Sequence, residues 1–298
     1  MLTLLITGAT GYLGSHLTHT LLDAGHRIAI LKRTTSSLAR LDACLSRLSV
    51  FNIEDGLHLP FQTIGHFDAV IHTATCYGRS GEKPSEVFQA NTVFPLNLLE
   101  AATTFNTDTF FNTDTFFNTD TIIYEYLNAY SLSKRHFMEW GKSFSDSGKI
   151  NFINLKLEHM YGAGDDSKKF AMYVIRSCIN NVEELKLTLG EQKRDFIHIN
   201  DVVSAYQYLL DNSNKIERGF SKFGIGTGKA VTIREFVDIV HRLTDSRTKP
   251  IYGALPYREN EIMRSEADIS GLAALGWNSR YDIETGLNQV IEQEKKHP

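Results

Sequence analysis

Tyr130-Ser131-Leu132-Ser133-Lys134 sets a phenol and an ammonium four residues apart. On a helix that spacing puts both side chains on one face. A nearby cation favours the ionised phenol and lowers its pKa. A tyrosine tuned in this way exchanges a proton with a carbonyl or an alcohol near neutral pH. That chemistry needs a hydride donor or acceptor, and the first residues of the chain offer a place for one. Gly8-Ala9-Thr10-Gly11-Tyr12-Leu13-Gly14 carries three glycines at GxxGxxG spacing. Gly8 permits a tight turn, Gly11 lets backbone approach a pyrophosphate, and Gly14 lets a helix pack closely. The helix that follows would face the pyrophosphate with its N-terminus.

The elements around the glycines suit this use. Leu2 to Thr7 is a nearly continuous apolar run, as a strand buried on both faces requires. Ser15 to Ala24 places Leu17, Leu21 and Leu22 at helical spacing, Gly25 stops the helix, and His26 to Leu31 reads as a second strand. Strand, glycine turn, helix and strand in this order are the context of a dinucleotide site. The second strand ends in Lys32, Arg33 and several hydroxyls, with no carboxylate between Asp23 and Asp42. Two cations suit the 2′-phosphate of NADP better than the free ribose of NAD. The competing reading is a solvated basic strand end.

Leu48 to Ile53 reads as a third strand, Phe67 to Ala74 as a fourth, and Ser85 to about Thr104 as a helix that Pro95 could kink. Alternating strands and helices predict an α/β fold: a Rossmann-type, doubly wound parallel sheet with a smaller C-terminal substrate lobe. The expected division is 1–160 for the cofactor lobe, with some later segments returning to it, and 161–298 for the other. Phe105 to Thr121 repeats FNTDT three times at a six-residue period. The repeat reads either as low-complexity loop or as the place where a fifth strand begins, with Thr109 to Asn112 suited to it. Hydrophobic residues make up 42% of the 298, and the net charge is −4, so a disordered chain and a dedicated nucleic-acid binder are both disfavoured. Three scattered cysteines give no disulfide framework and no metal motif. Without a spanning apolar run or a signal peptide, the expected compartment is the cytoplasm.

GATGYLG with YSLSK resembles the extended short-chain dehydrogenase/reductase family, which acts on nucleotide sugars, and the likeness runs over nearly the whole chain. His72-Thr73-Ala74 resembles the family's nicotinamide pocket, and Asn91 its helix-four asparagine. The resemblance implies cofactor contacts at Gly8, Thr10, Gly11, Tyr12, Leu13, Gly14, Lys32, Arg33, Asn52, Ile53, Thr73, Ala74, Asn91, Tyr130 and Lys134. Leu155 to Gly162 resembles the strand-six LRxxNxYG motif, with His159 where asparagine is usual. Gly190 to Val202 resembles the GxxxRDFxxVxDV segment. Arg258 and Glu261 resemble the late arginine and acid that close over the nucleotide. Several segments are most similar to the branch that reduces CDP-4-keto-3,6-dideoxyhexoses. An NADPH-dependent 4-ketoreductase acting on a CDP-sugar is therefore expected. A 4-epimerase retaining NAD is the alternative within the family, and a non-catalytic NADP-binding regulator the alternative outside it.

The family places a Ser or Thr on strand five beside the tyrosine. Thr107, Thr113 and Thr119 are candidates. Thr107 leaves the preceding helix no room to end, and Thr119 leaves a short reach to Tyr130. Thr113 is therefore expected, with Thr107 as the fallback, beside Tyr130 and Lys134 as catalytic residues. Family dehydratases follow this Thr with Asp and Glu, whereas Asp114 here is followed by Thr115, which favours plain reduction over elimination. Asp114, His159, Arg194 and Arg258 are the expected substrate contacts. For Arg194 the competing role is a structural salt bridge to Asp195 or Asp201. Phe137, Met138, Trp140 and Phe144 give the Tyr130 helix a broad apolar surface, and a homodimer is expected to cover it. No metal site is expected.

Overall fold

The computed structural model describes residues 1–106, 109–110 and 113–296. The chain forms two compact units, Met1–Lys156 with Tyr206–Phe223, and Leu157–Ala205 with Gly224–Pro298.

The first unit is built on a seven-stranded sheet. Its strands are β1 (Thr3–Thr7), β2 (Arg27–Lys32), β3 (Leu48–Asn52), β4 (Phe67–His72), β5 (Thr113–Thr121), β6 (Asn151–Leu157) and β7 (Phe220–Ile225). The spatial order is β7-β6-β5-β4-β1-β2-β3. β1 pairs in parallel with both β2 and β4, β2 with β3, and β4 with β5. The order reverses between β1 and β4, which is where open sheets of this kind bind ligands. Leu4, Leu5 and Ile6 are wholly buried, as a central strand covered on both faces requires. Phe116 of β5 stacks on Phe152 of β6 at 5.6 Å, and both meet Phe137 edge-on.

Four helices matter for the site: α1 (Tyr12–Asp23), α2 (Phe94–Thr103), α3 (Ala129–Asp146) and α4 (Ile199–Asp211). The single helix expected from Ser85 is three pieces: Pro84–Phe88, a π turn over Gln89–Val93, and α2. Pro95 cannot donate to the carbonyl one turn back, and the wider turn before it absorbs the missing bond. α3 starts at a reciprocal cap. Asn128 Oδ1 accepts from Ser131 N at 2.9 Å, while Ser131 Oγ accepts from Asn128 N at 3.2 Å. That cap fixes Tyr130 in the first turn and Lys134 one turn further on. The chain's own core takes most of the apolar surface of α3: Phe137 and Met138 are buried and Phe144 packs on the cluster. Trp140 alone of the four stays 48% exposed.

The fifth strand departs from the expectation. It runs from Thr113 to Thr121 rather than Thr109 to Asn112. Phe105–Asn106 instead pairs antiparallel with Thr109–Phe110. The FNTDT copies have equal strand character, so local propensity does not choose among them.

In the second unit, Lys193–His198 is a hub strand. It pairs in parallel with His159–Tyr161 and Arg264–Ser265, and antiparallel with Ala230–Thr232. Phe196, Phe236, Val237, Leu287 and Ile291 fill its core. Trp277 is buried and donates to Ser204 Oγ at 3.0 Å, so it is a core residue as its LGW context suggests. All three cysteines are free. Among the described residues, no helix is long and apolar enough to cross a membrane.

Candidate active site

The turn between β1 and α1 is built from absent side chains. Gly8 has φ +73°, and a Cβ there would stand 2.5 Å from Ala74 N and 2.7 Å from Thr73 Oγ1. A Cβ on Gly14 would lie 2.1 Å from Gly8 O. The third glycine therefore seats the helix on the turn itself rather than on the strand. Gly11 N donates to Gly8 O at 2.9 Å. α1 begins at Gly11 with no side-chain cap and no acid in its first turn. Its leading N–H groups stay available to an anion, and the residues fit a dinucleotide pyrophosphate. Thr10 lies in the turn, Tyr12 meets His16 edge-on at 4.8 Å, and Leu13 is buried. Arg40 stands 5.5 Å over the Tyr12 ring, a cation that the motif reading missed.

At the end of β2, Lys32 Nζ donates to Asn52 Oδ1 at 3.2 Å, and Arg33 is exposed. Ile53 packs against the core beneath. The absence of a carboxylate in this stretch of sequence is offset in space. Glu54, following β3, accepts from Thr34 N at 3.1 Å and 3.3 Å. This acid comes from the neighbouring strand, where a scan along the second strand does not look.

Thr73 Oγ1 donates to Thr7 O at 2.8 Å, tying the ends of β4 and β1 together. Asn91 is wholly buried and its amide is taken by protein. Oδ1 accepts from Cys76 N at 2.8 Å, while Nδ2 donates to Cys76 O at 2.8 Å and to Ser133 Oγ at 3.0 Å. Asn91 thus pins the segment after β4 to α3, one residue before Lys134.

Lys134 is 2% exposed and its Nζ donates to Thr119 O at 2.9 Å. Burial pulls its pKa down to about 8, and the charge of Asp120 offsets part of that. Tyr130 behaves oppositely to the expectation. Burial, then Tyr77 and Asp120, push its pKa up, while a hydrogen bond with Thr121 pulls the other way. The protein by itself therefore keeps the phenol protonated. Tyr77 lies 5.1 Å from the Tyr130 ring, and Arg79 lies 5.1 Å over Tyr77. Tyr206 OH of α4 meets Thr119 Oγ1 at 2.6 Å. Sequence reasoning missed Tyr77, Arg79 and Tyr206. The first two sit directly after β4, at the carboxyl end of the sheet, and that position was their available signal.

Two expected residues are in the wrong place. Thr113 pairs with Phe67 at the start of β4, whereas Asn118 pairs with His72 at its end. At about 3.3 Å per residue, Thr113 lies about 20 Å along the strand from Thr119, away from Tyr130. Asp114 goes with it, exposed and 3.6 Å from His66 Nε2. Thr107, the fallback, lies outside the described residues. The residues that meet Tyr130 and Lys134 belong to the third copy of the repeat: Thr119, Asp120 and Thr121. The Thr-Asp-Thr wording is unchanged, so the position of the missing glutamate falls at Thr121.

In the second unit, Arg194 pairs with Glu261, and its Nη1 donates to Lys193 O at 2.8 Å. Asp195 and Asp201 are not its partners. Asp195 accepts from Thr227 and Gly228, and Asp201 from Arg280 N and Tyr281 N. Burial lowers the pKa of Arg194, Glu261 and Glu158 raise it, and Arg258 lowers it. Two guanidinium groups thus share a neighbourhood with two carboxylates. His159 Nδ1 is 2.9 Å from Glu158 Oε2, and Glu158 Oε1 accepts from Ser265 at 2.7 Å.

The profile of the NAD dependent epimerase/dehydratase family matches residues 4–226. A CDP-abequose synthase of Salmonella muenchen is 37% identical over 293 residues, covering 98% of each chain. A second, from Salmonella typhimurium, is 33% identical over 300 residues, covering 97% of each. Among solved structures, a UDP-glucose 4-epimerase of Thermotoga maritima superposes with a TM-score of 0.84 at 19% identity, covering 99% of each chain.

Proposed function

Because the chain belongs to the NAD dependent epimerase/dehydratase family, we propose that it is an NADPH-dependent reductase of the C4 keto group of a nucleotide-activated 3,6-dideoxyhexose, with a CDP-4-keto-3,6-dideoxyhexose as substrate. Thr121 is the observation that carries this reading. A hydroxyl faces Tyr130 where elimination chemistry in the family uses a glutamate. The relatives named CDP-abequose synthase support the sugar and the base.

When bound, a reduced nicotinamide would supply the hydride for the keto carbon. Tyr130, held protonated by burial, gives its proton to the developing alkoxide. The strand-five threonine of this copy, Thr119, has its hydroxyl on Tyr206 OH, so Thr121, which hydrogen-bonds Tyr130, is the residue that orients the same oxygen. Lys134 grips the nicotinamide ribose from its seat on Thr119 O. The glycine turn and the start of α1 receive the pyrophosphate. Lys32 and Arg33 read the 2′-phosphate, with Arg40 beside the turn as a third cation. In the second unit, Arg194 and Arg258 repel one another, and an anionic pyrophosphate relieves that repulsion. The exposed Trp140 on α3 leaves an apolar residue for a second copy to cover, so the reading includes a homodimer. The compartment is the cytoplasm.

Glu54 favours a second reading, a 4-epimerase that retains NAD, since it brings a carboxylate to Thr34 beyond the end of β2, the region where NAD sites use an acid on the ribose. Purified protein separates the two. The reductase is isolated without tightly held cofactor, and it consumes NADPH in stoichiometric amounts when given the 4-keto CDP-sugar. An isolate carrying NAD that interconverts C4 epimers without added reductant would establish the second reading instead.

A further inference from the structure

Four neighbouring strands carry buried polar side chains beneath the site. Thr7 Oγ1 of β1 meets His72 Nδ1 of β4 at 2.7 Å. His72 is in register with Asn118 of β5. Asn118 Nδ2 donates to Asn154 Oδ1 of β6 at 2.7 Å, and Asn154 Nδ2 donates to Asp120 Oδ2 at 2.8 Å. Asp120 Oδ1 accepts from Thr121 N at 2.8 Å. Thr7, His72, Asn118 and Asn154 are fully buried and Asp120 is 6% exposed. Thr119, whose carbonyl takes the Lys134 ammonium, is the residue before Asp120.

We infer that Asp120 is a positioning residue: fastened by Asn154 and the Thr121 amide, it is the fixed counter-charge that keeps Lys134 an ammonium in a buried site. Neither charge is tolerable there alone. A carboxylate or an ammonium taken out of water without compensation is strongly destabilised, and removing one partner strands the other. Asp120 receives its two hydrogen bonds from neutral donors, so its charge remains to act on neighbours. Its strand places it next to the carbonyl that holds Lys134. The ionisable groups that face this ammonium are Asp120 from β5 and His72 from β4, and burial keeps His72 neutral. Tyr130 shares α3 with Lys134 and is itself faced by Tyr77, Arg79 and Asp120. Asp120 thus holds protons on both Lys134 and Tyr130. In this chain the carboxylate that follows the strand-five threonine points into the core network instead of serving as a free acid.

This inference rests on the reading of Lys134 as a cofactor-gripping residue, so its test is binding rather than turnover. The affinity for NADPH, or for NAD if that is the dinucleotide held, is measured against pH with no sugar present. In the unaltered protein, affinity falls as pH rises through about 8, where Lys134 loses its proton. Removing a neighbouring anion destabilises an ammonium, so Asp120→Asn should move that limb down by about one pH unit or more. A double variant, Asp120→Asn with Asn154→Asp, is the fold-preserving companion. It can keep all three hydrogen bonds among Asn118, residue 154, residue 120 and Thr121 N while moving the charge to the next strand. It should melt near the unaltered protein and still show a lowered limb. A limb left at its original pH in the folded variants would overturn the inference, and so would an unaltered protein with no limb. Failure of the keto sugar to react would count against the proposed function alone.

Discussion

Tyr130 and Lys134 are mutually arranged as their spacing requires, yet their electrostatics invert the simple expectation. Burial dominates both: the phenol is held protonated and the ammonium is weakened to about 8. A protonated tyrosine is the form a reduction consumes. Thr121→Val should therefore slow keto-sugar reduction by about 10²-fold, the loss typical of one oxyanion donor. Thr113→Val should leave turnover unchanged. Among the described residues the buried Thr113 Oγ1 has no hydrogen-bond partner, so an isosteric methyl there should hold or raise the melting temperature. Kinetics and melting of the two single variants check this pair, and a harmful Thr113→Val with a silent Thr121→Val would reverse the assignment. At this scale the sequence made the Tyr-Lys pair and the three glycines legible, because both depend on local spacing. It hid Glu54, Tyr77 and Tyr206, which reach the site from elsewhere in the chain.

β5 explains the misplaced threonine. The copies Phe110–Thr115 and Phe116–Thr121 are identical, FFNTDT in each case. A slip of six residues is even, so it preserves which side chains face which way and offers the same residue at every position. Local pattern cannot select a register under that degeneracy. Selection belongs to the connections: the chain from α2 through residues 104–112, and the one from Thr121 to the cap at Asn128. The first connection has length to spare. Deleting residues 111–116 would leave β5 with the same residues at the same positions and would join α2 to it through residues 104–106, an ordinary loop length. The shortened protein should fold, melt within a few degrees of the parent and bind the dinucleotide equally well. Loss of folding, read by circular dichroism, would show that the extra copy is structural. The α2 region was legible except for its π turn, which arises from Pro95 and the tertiary role of Asn91.

Over the whole molecule, the alternation of strands and helices was sufficient to predict the doubly wound sheet. It led to the expectation that later segments return to the first unit, but it did not give the bounds of that return, Tyr206–Phe223. Under the proposed function each unit has its own anion site, an uncapped helix start in the first and Arg194 with Arg258 in the second. Their effects should be separable. Arg194→Ala should weaken CDP binding by a cost of about 2–5 kcal/mol, since it strands Glu261 as well as removing a cation. NADPH binding should survive. Calorimetric titration with each ligand decides it, and unchanged CDP affinity would leave Arg194 as a structural partner of Glu261. Tyr130 is the proton donor on which the proposed hydride-driven reduction depends. Tyr130→Phe keeps the ring against Tyr77 and removes the hydroxyl that carries the proton. Turnover of a CDP-4-keto-3,6-dideoxyhexose with NADPH is the direct measurement. A fall of about 10²–10⁴ with NADPH affinity nearly unchanged is the predicted result, and reduction at the parent rate would contradict it.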